Sequence, residues 1–329
     1  MSSNSRISCQ GATSVTTFAV FLCDKIEPAL RRAVYDRTAK DIAEDMQGKF
    51  PDFQGSRANL EVCILRYLAE QENFEYFKQY LMSPKQFFES YIKIRVKSHC
   101  LDGSRKLRMF FDSSLDILYR NILSAVSLST QIVKDRKDRQ DKVSLWLDGF
   151  CRELTEVINL PRSDLKGIEH QEVTDIEFLS SAMAEALDDL RERLMKELAV
   201  ADLSSFSRQP HTILAEHFSG CWEQCPFCGA VCTNTMQNHD GDHQLVFHRP
   251  QALKGWRTYR TDHLVINICS SNVASDVLFV LRNNEEFPYK RYRDAGPPYS
   301  TWKILPDSSM QEWWICLSKQ TVALLDSTD

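Results

Sequence analysis

The feature that most constrains this chain is the run Cys225-Pro226-Phe227-Cys228-Gly229. Two thiols separated by two residues can address a single ion, while backbone amides of the tight turn donate to the thiolates. His243 and His248 follow, giving C-x2-C-x14-H-x4-H, which falls inside the range of Cys2His2 zinc sites. The spacing therefore predicts one structural zinc ion held by Cys225, Cys228, His243 and His248. Cys221, Cys232 and His239 also lie within reach. Cys232 could replace one histidine, and His239 with His243 would suit one turn of helix. All three are read as uncoordinated neighbours. Four protein ligands leave no place for substrate water, so the expected role is to staple the fold.

Catalytic readings of the same segment are weaker. His239-Asp240-Gly241-Asp242-His243 superficially resembles the H-E-x-x-H of metalloproteases, with Asp in place of the general-base Glu. That chemistry needs a helix and an open metal position, whereas Gly241 between two aspartates argues for a turn. A two-metal RING-type arrangement needs about eight ligands, and the cluster supplies seven Cys and His. The sequence contains no G-x-x-x-x-G-K-[ST] loop, no G-x-G-x-x-G and no G-x-S-x-G. No enzymatic activity is expected of these residues.

Charge bears on partners. The net charge is −5, divided as −2 before residue 201 and −3 after it, so neither part has the basic bias of a nucleic-acid or anionic-membrane binder. Arg249, Lys254, Arg257 and Arg260 form a local basic string, read as surface solvation and packing against neighbouring carboxylates. Cys9, Cys23, Cys63, Cys100, Cys151, Cys269 and Cys316 are scattered through ordinary helix-like or strand-like segments. Scatter plus one cluster suits a reducing, cytoplasmic compartment better than a disulfide scaffold. Thr16–Cys23 (TTFAVFLC) lacks a basic leader and reads as an apolar helix start rather than a signal peptide. No apolar run approaches the ~18 residues of a membrane span.

Periodicity sets the architecture. Residues 1–15 are polar and Ser-rich and are expected to be disordered. Residues 16–200 predict a multi-helix bundle. Ser83-Pro84-Lys85-Gln86 opens a helix that buries Phe87, Phe88, Tyr91 and Ile92. The clearest helix carries Ile176, Leu179, Met183, Leu187, Leu190, Leu194 and Leu198 at steps of three and four. This pattern suits packing within the chain or a dimer seam, and the first is preferred. The run Lys134–Lys142 mixes both charges and reads as a solvated face. After 200, aromatic, Cys and His residues become frequent. Residues 201–329 are expected to form a smaller zinc-stabilised α+β domain, with strands at His263–Ile268 and Ser300–Leu305 and a closing helix around Trp313, Trp314 and Leu317. The fold class is thus mainly α, with an α+β domain at the end.

The run CWEQCPFCGAVCTNTMQNHDGDHQLVFHRPQALKGW (Cys221–Trp256), followed by Thr261-Asp262-His263-Leu264, resembles the C-terminal region of the interferon-inducible very large GTPases. The up-regulator-of-cell-proliferation proteins are related to that family. Asn59-Leu60, Tyr67–Phe74, Tyr289–Arg293 and Trp302-Lys303-Ile304 are similar to the family's helical stretch and tail, so the resemblance spans most of the chain from about residue 18. It implies a cytosolic, innate-immune context, with the GTP-binding domain upstream in a much longer polypeptide. Only the Cys and His residues carry over, as metal ligands. The expected function is a non-catalytic interaction and assembly module. The upstream GTPase module, homologous large GTPases or a second copy of the chain would be its partners. A GTP-binding or GTPase-associated role by family membership and a nucleic-acid-binding zinc protein are the alternatives.

Overall fold

The structure is a computed structural model, and it describes residues 3–71, 73–101, 105–135, 142–165, 176–245, 248–249 and 267–306. It is mainly helical, with one small two-stranded sheet among the described residues. Two compact units divide the chain. The first comprises Met1–Asp45 and Val96–Ile213, the second Met46–Arg95 and Leu214–Asp329.

The first unit is built on long helices. Helix α1 (Ser3–Lys49) begins inside the polar segment that composition marked as unstructured. Phe18, Leu22, Ile26, Leu30 and Val34 recur every four residues along it, and all are buried. Thr16–Cys23 falls within this helix. Helix α5 (Lys106–Lys134) packs against α6 (Lys142–Leu154) and α7 (Ile176–Leu198). Every member of the expected α7 series, from Ile176 to Leu198, is buried within the chain, which is the packing reading of that stripe.

Small and hydroxylated residues fit α5 to α6. Gly149 faces Ser129 and Ile132, where an added Cβ would meet both side chains at 3.4 Å. Thr130 satisfies its own hydroxyl on the Val126 carbonyl and accepts the Trp146 indole N–H at 3.1 Å. Its buried polar atoms are therefore paired, as burial requires. Tyr35, Phe111 and Phe206 form a compact aromatic group. Buried His99 lies between Asp45 and Lys106, at 2.9 Å from each. The imidazole thus has a carboxylate on Nε2 and an ammonium on Nδ1.

In the second unit, α2 (Arg57–Gln71) buries Leu60, Ile64, Leu65 and Leu68. Helix α3 (Phe74–Met82) is capped by Asn73, whose side chain accepts from the amides of Glu75 and Tyr76. Helix α4 (Pro84–Leu101) begins at the expected proline, and Phe87, Phe88, Tyr91 and Ile92 are buried. The two units divide between Ile213 and Leu214 in this part of the chain. Residues 46–95 nevertheless belong with the Cys-rich segment, because specific contacts tie them together. The Arg57 guanidinium stacks over Trp222, 4.7 Å from the ring centre, and donates to the Cys232 carbonyl. Phe88 packs edge-on to Trp222, and Phe53 packs on Phe218.

Strands β1 (Leu278–Val280) and β2 (Glu286–Pro288) pair antiparallel, with Phe279 opposite Phe287. Asn284 makes their turn at φ 66°, a conformation Asn tolerates. The strand expected at Ser300–Leu305 is instead a 3-10 turn (Tyr299–Thr301) followed by a single bridge from Trp302 to His243. The reason is local. The Tyr292 hydroxyl donates to the Trp302 carbonyl at 3.0 Å and accepts the Ile304 amide at 2.9 Å, taking the place of a neighbouring strand. Residues 263–266 of the other expected strand, the closing helix near Trp313, and most of the charge run Lys134–Lys142 lie outside the described residues.

Candidate metal centres

The Cys-rich segment folds as a short hairpin. Gln224 bridges Val231, the Cys225 amide donates to the Ala230 carbonyl, and the Cys232 amide donates to the Glu223 carbonyl. Gly229 closes the tip at φ 73°, the left-handed region that a Cβ disfavours. At the base, a Cβ on Gly220 would come 2.5 Å from the Asn234 carbonyl oxygen, so only glycine fits. Cys225 and Cys228 thus sit at the tip, and Cys221 and Cys232 sit at the base.

Phe227, between the two tip cysteines, is fully buried and anchors the core. Its ring lies 5.2–6.0 Å from those of Phe279, Tyr289, Tyr292 and Tyr299. Aromatic centroids at these separations are in favourable contact. Cys221, Cys225, Cys228, Cys232 and Cys269 belong to the same buried cluster.

The four residues that spacing selected do not converge on one point. Cys225, Cys228 and His248 gather with Cys269, whereas His243 joins Cys221, Cys232 and His239. In each group the four donor atoms lie within 4.8 Å of one another. Cys269 supplies the eighth Cys/His donor, the one the sequence reading left among scattered cysteines. Nothing in local spacing marks it, because it stands far along the chain in an apolar run.

The tip group is the more enclosed. Cys225, Cys228 and Cys269 are buried and His248 is half-buried. Cys225 Sγ lies 3.9 Å from Cys269 Sγ, and Cys228 Sγ lies 3.4 Å from His248 Nδ1. A tetrahedral zinc with bonds of about 2.3 Å to sulfur and 2.0–2.1 Å to nitrogen has edges of about 3.8 Å (S–S) and 3.6 Å (S–N). The donors therefore fit zinc in number, type and spacing. The Cys228 amide also points at Cys225 Sγ, as a thiolate ligand requires. Burial pushes the Cys225 and Cys269 thiols well above their ordinary range. Burial acts the same way on Cys228, but hydrogen bonds from Cys225, Cys269 and His248 outweigh it and hold that thiol low. A bound Zn²⁺ would displace the remaining protons.

His248 is followed by a buried anchor. Arg249 is 2 % exposed, and its Nη2 donates to Glu61 Oε1 at 2.7 Å and to the Tyr80 hydroxyl at 2.6 Å. The Tyr80 hydroxyl also donates to Glu61, and the guanidinium lies over the Tyr80 ring at 4.6 Å. Arg249 thus packs inward instead of heading an exposed basic string. Lys254, Arg257 and Arg260 of that string lie outside the described residues.

The described residues thus form a helical scaffold that carries a Cys/His-rich hairpin with two groups of donors that could each hold a metal ion. Comparison places it more narrowly. The family model described as the C-terminal domain of interferon-induced very large GTPase 1 matches residues 221–321. Interferon-induced very large GTPase 1 of Mus musculus is 44% identical over 310 residues, and that of Homo sapiens is 45% identical over the same length. The chain is a homologue of the C-terminal region of these very large GTPases. Each alignment takes in 94% of this chain but 13% of the relative, so the chain spans about an eighth of their length. No solved structure matches it. No helix among the described residues is long and apolar enough to cross a membrane.

Proposed function

We propose that this chain is a non-catalytic interaction and assembly module of the very large GTPase type, held together by zinc at Cys225, Cys228, His248 and Cys269. One observation carries the reading: the four donors converge with zinc-like spacing inside a buried aromatic core. Three thiolates and an imidazole fill a tetrahedral sphere and leave no position for substrate. The ion therefore serves folding, and binding in comparable zinc peptides is worth roughly 10–16 kcal/mol. The work of the module is then to present its surface to GTPase modules of homologous chains or to a second copy of itself, in the reducing cytoplasm that free thiols suit. The burial of Arg249 against Glu61 speaks against nucleic acid as the partner.

The test is metal analysis joined to activity and proteolysis. The purified chain should contain zinc, should not turn over GTP, and should become protease-sensitive within residues 214–306 when zinc is chelated. A zinc-free chain that resists protease as well as the parent, or GTP turnover that survives stringent purification, would overturn the proposal.

A further inference from the structure

We infer that the base of the hairpin forms a second zinc centre, with Cys221 Sγ, Cys232 Sγ, His239 Nε2 and His243 Nδ1 as its ligands. Three donor separations are fixed: Cys221 to His243 at 3.5 Å, Cys232 to His239 at 3.6 Å, and His239 to His243 at 3.0 Å. Bonds of the lengths zinc makes to sulfur and nitrogen give tetrahedral edges of about 3.6 Å for S–N and 3.3 Å for N–N. The two S–N separations match, and the N–N separation is shorter by about 0.3 Å. Hydrogen bonding alone would satisfy these groups in pairs, but here all four atoms converge within 4.8 Å of one another.

The surroundings hold each ligand for this purpose. The Glu223 amide points at Cys221 Sγ, and the Arg57 side chain ties down the Cys232 carbonyl. His243 is clamped on both sides of its backbone: its amide donates to Thr301 and its carbonyl accepts from Lys303. The next residue back, Asp242, is gripped by both terminal nitrogens of Arg293 at 2.7 and 2.8 Å. His243 also packs against the Trp302 indole, 5.1 Å between ring centres. Such support is what orients metal-binding imidazoles.

The ligands of the two centres interleave along the chain. Cys221 and Cys232 flank the tip pair, and His239 and His243 precede His248. One hairpin thus serves both ions, with the half-exposed His239 and His243 making the base centre the more accessible of the two.

Metal counting on the full chain, with cobalt as the spectroscopic probe, tests the inference. The parent should hold two zinc ions per chain. Its cobalt form should show thiolate charge-transfer intensity for five sulfurs shared by two tetrahedral ions. His239→Ala should lose one ion and leave a three-thiolate spectrum, and His248→Ala should do the converse and leave a two-thiolate spectrum. One ion in the parent with a three-thiolate spectrum, unaffected by His239→Ala, overturns the second centre alone. One ion with a two-thiolate spectrum overturns the tip centre alone, and no ion overturns both. Should either variant fail to fold, the parent's stoichiometry and thiolate intensity still decide.

Discussion

Arg249, next to His248, binds Glu61 of α2 and Tyr80 of α3, and its removal gives a sharp test of how the second unit is held together. Charge centres about 4 Å apart attract by about 4 kcal/mol at an effective dielectric of 20. Most of that is cancelled by desolvation of two ions, so the pair itself contributes little net stability. Removing one partner is different. Arg249→Met takes the guanidinium from the Glu61 carboxylate, whose residue is 7 % exposed and which keeps the Tyr80 hydroxyl as a donor, and deprives that hydroxyl of an interaction. Breaking a buried pair in this way costs about 3–5 kcal/mol. Arg249→Met combined with Glu61→Leu removes both charges and should recover most of the loss. The assay is urea-induced zinc release, which reports the unit that contains the ligands. With a slope of about 2 kcal/mol per molar urea, the single variant should release its zinc about 2 M earlier than the parent. An unchanged midpoint for Arg249→Met, or a double variant no better than the single, would refute the argument that the uncompensated charge sets the cost.

Two further perturbations address the first unit. Leu190→Ala in α7 removes a fully buried side chain and should cost about 2–5 kcal/mol, read as a fall of about 5 °C or more in the thermal midpoint; no change would mean the assigned face is wrong. Burial, reinforced by Asp24, pushes the Cys23 thiol up to about 12, and burial pushes Cys100 up to about 11. A raised thiol is protonated at pH 8, so both should escape iodoacetamide in the native chain and label fully after denaturation. Mass spectrometry showing native labelling at either position would contradict the packing described for α1 and α4.

The helices were legible because their signal is redundant. In α7 seven apolar residues repeat one period, and each is an independent vote for the same face. Ser83-Pro84 adds a start signal that depends on backbone chemistry alone. The α+β part offered no such redundancy. Leu278–Val280 and Glu286–Pro288 are three residues each, too short for alternation to stand out. At Ser300–Leu305 the apolar alternation is real, but a tyrosine hydroxyl satisfies the backbone that a partner strand would otherwise have paired. Composition likewise missed that residues 46–95 join the C-terminal unit, since the Arg57–Trp222 and Arg249–Glu61 contacts link residues far apart in sequence.

The candidate site divides in the same way between local and distant information. The crowding of Cys and His between residues 221 and 248 was legible, because such residues have little other reason to occur together. Partition of the donors was not. C-x2-C-x14-H-x4-H treats the chain as a line and assigns the two histidines to the cysteine pair nearest in pattern, but a hairpin separates its tip from its base. Cys221 and Cys232, ten residues apart in sequence by intervening count, are brought together across that base. His243 then follows the base, because its backbone is bridged to Trp302 and its neighbour Asp242 is held by Arg293, whereas the Arg249 anchor carries His248 to the tip. With His243 drawn away, the tip keeps three of these donors, one fewer than the proposed tetrahedral zinc would need, and a fourth comes from outside the motif. Cys269 meets it from the turn between Asn267 and Val273, where amides of Ser271, Asn272 and Val273 return to the carbonyls of Asn267 and Ile268. The residue that spacing could not reveal would therefore, as a ligand of the proposed ion, fasten the hairpin to the rest of its core.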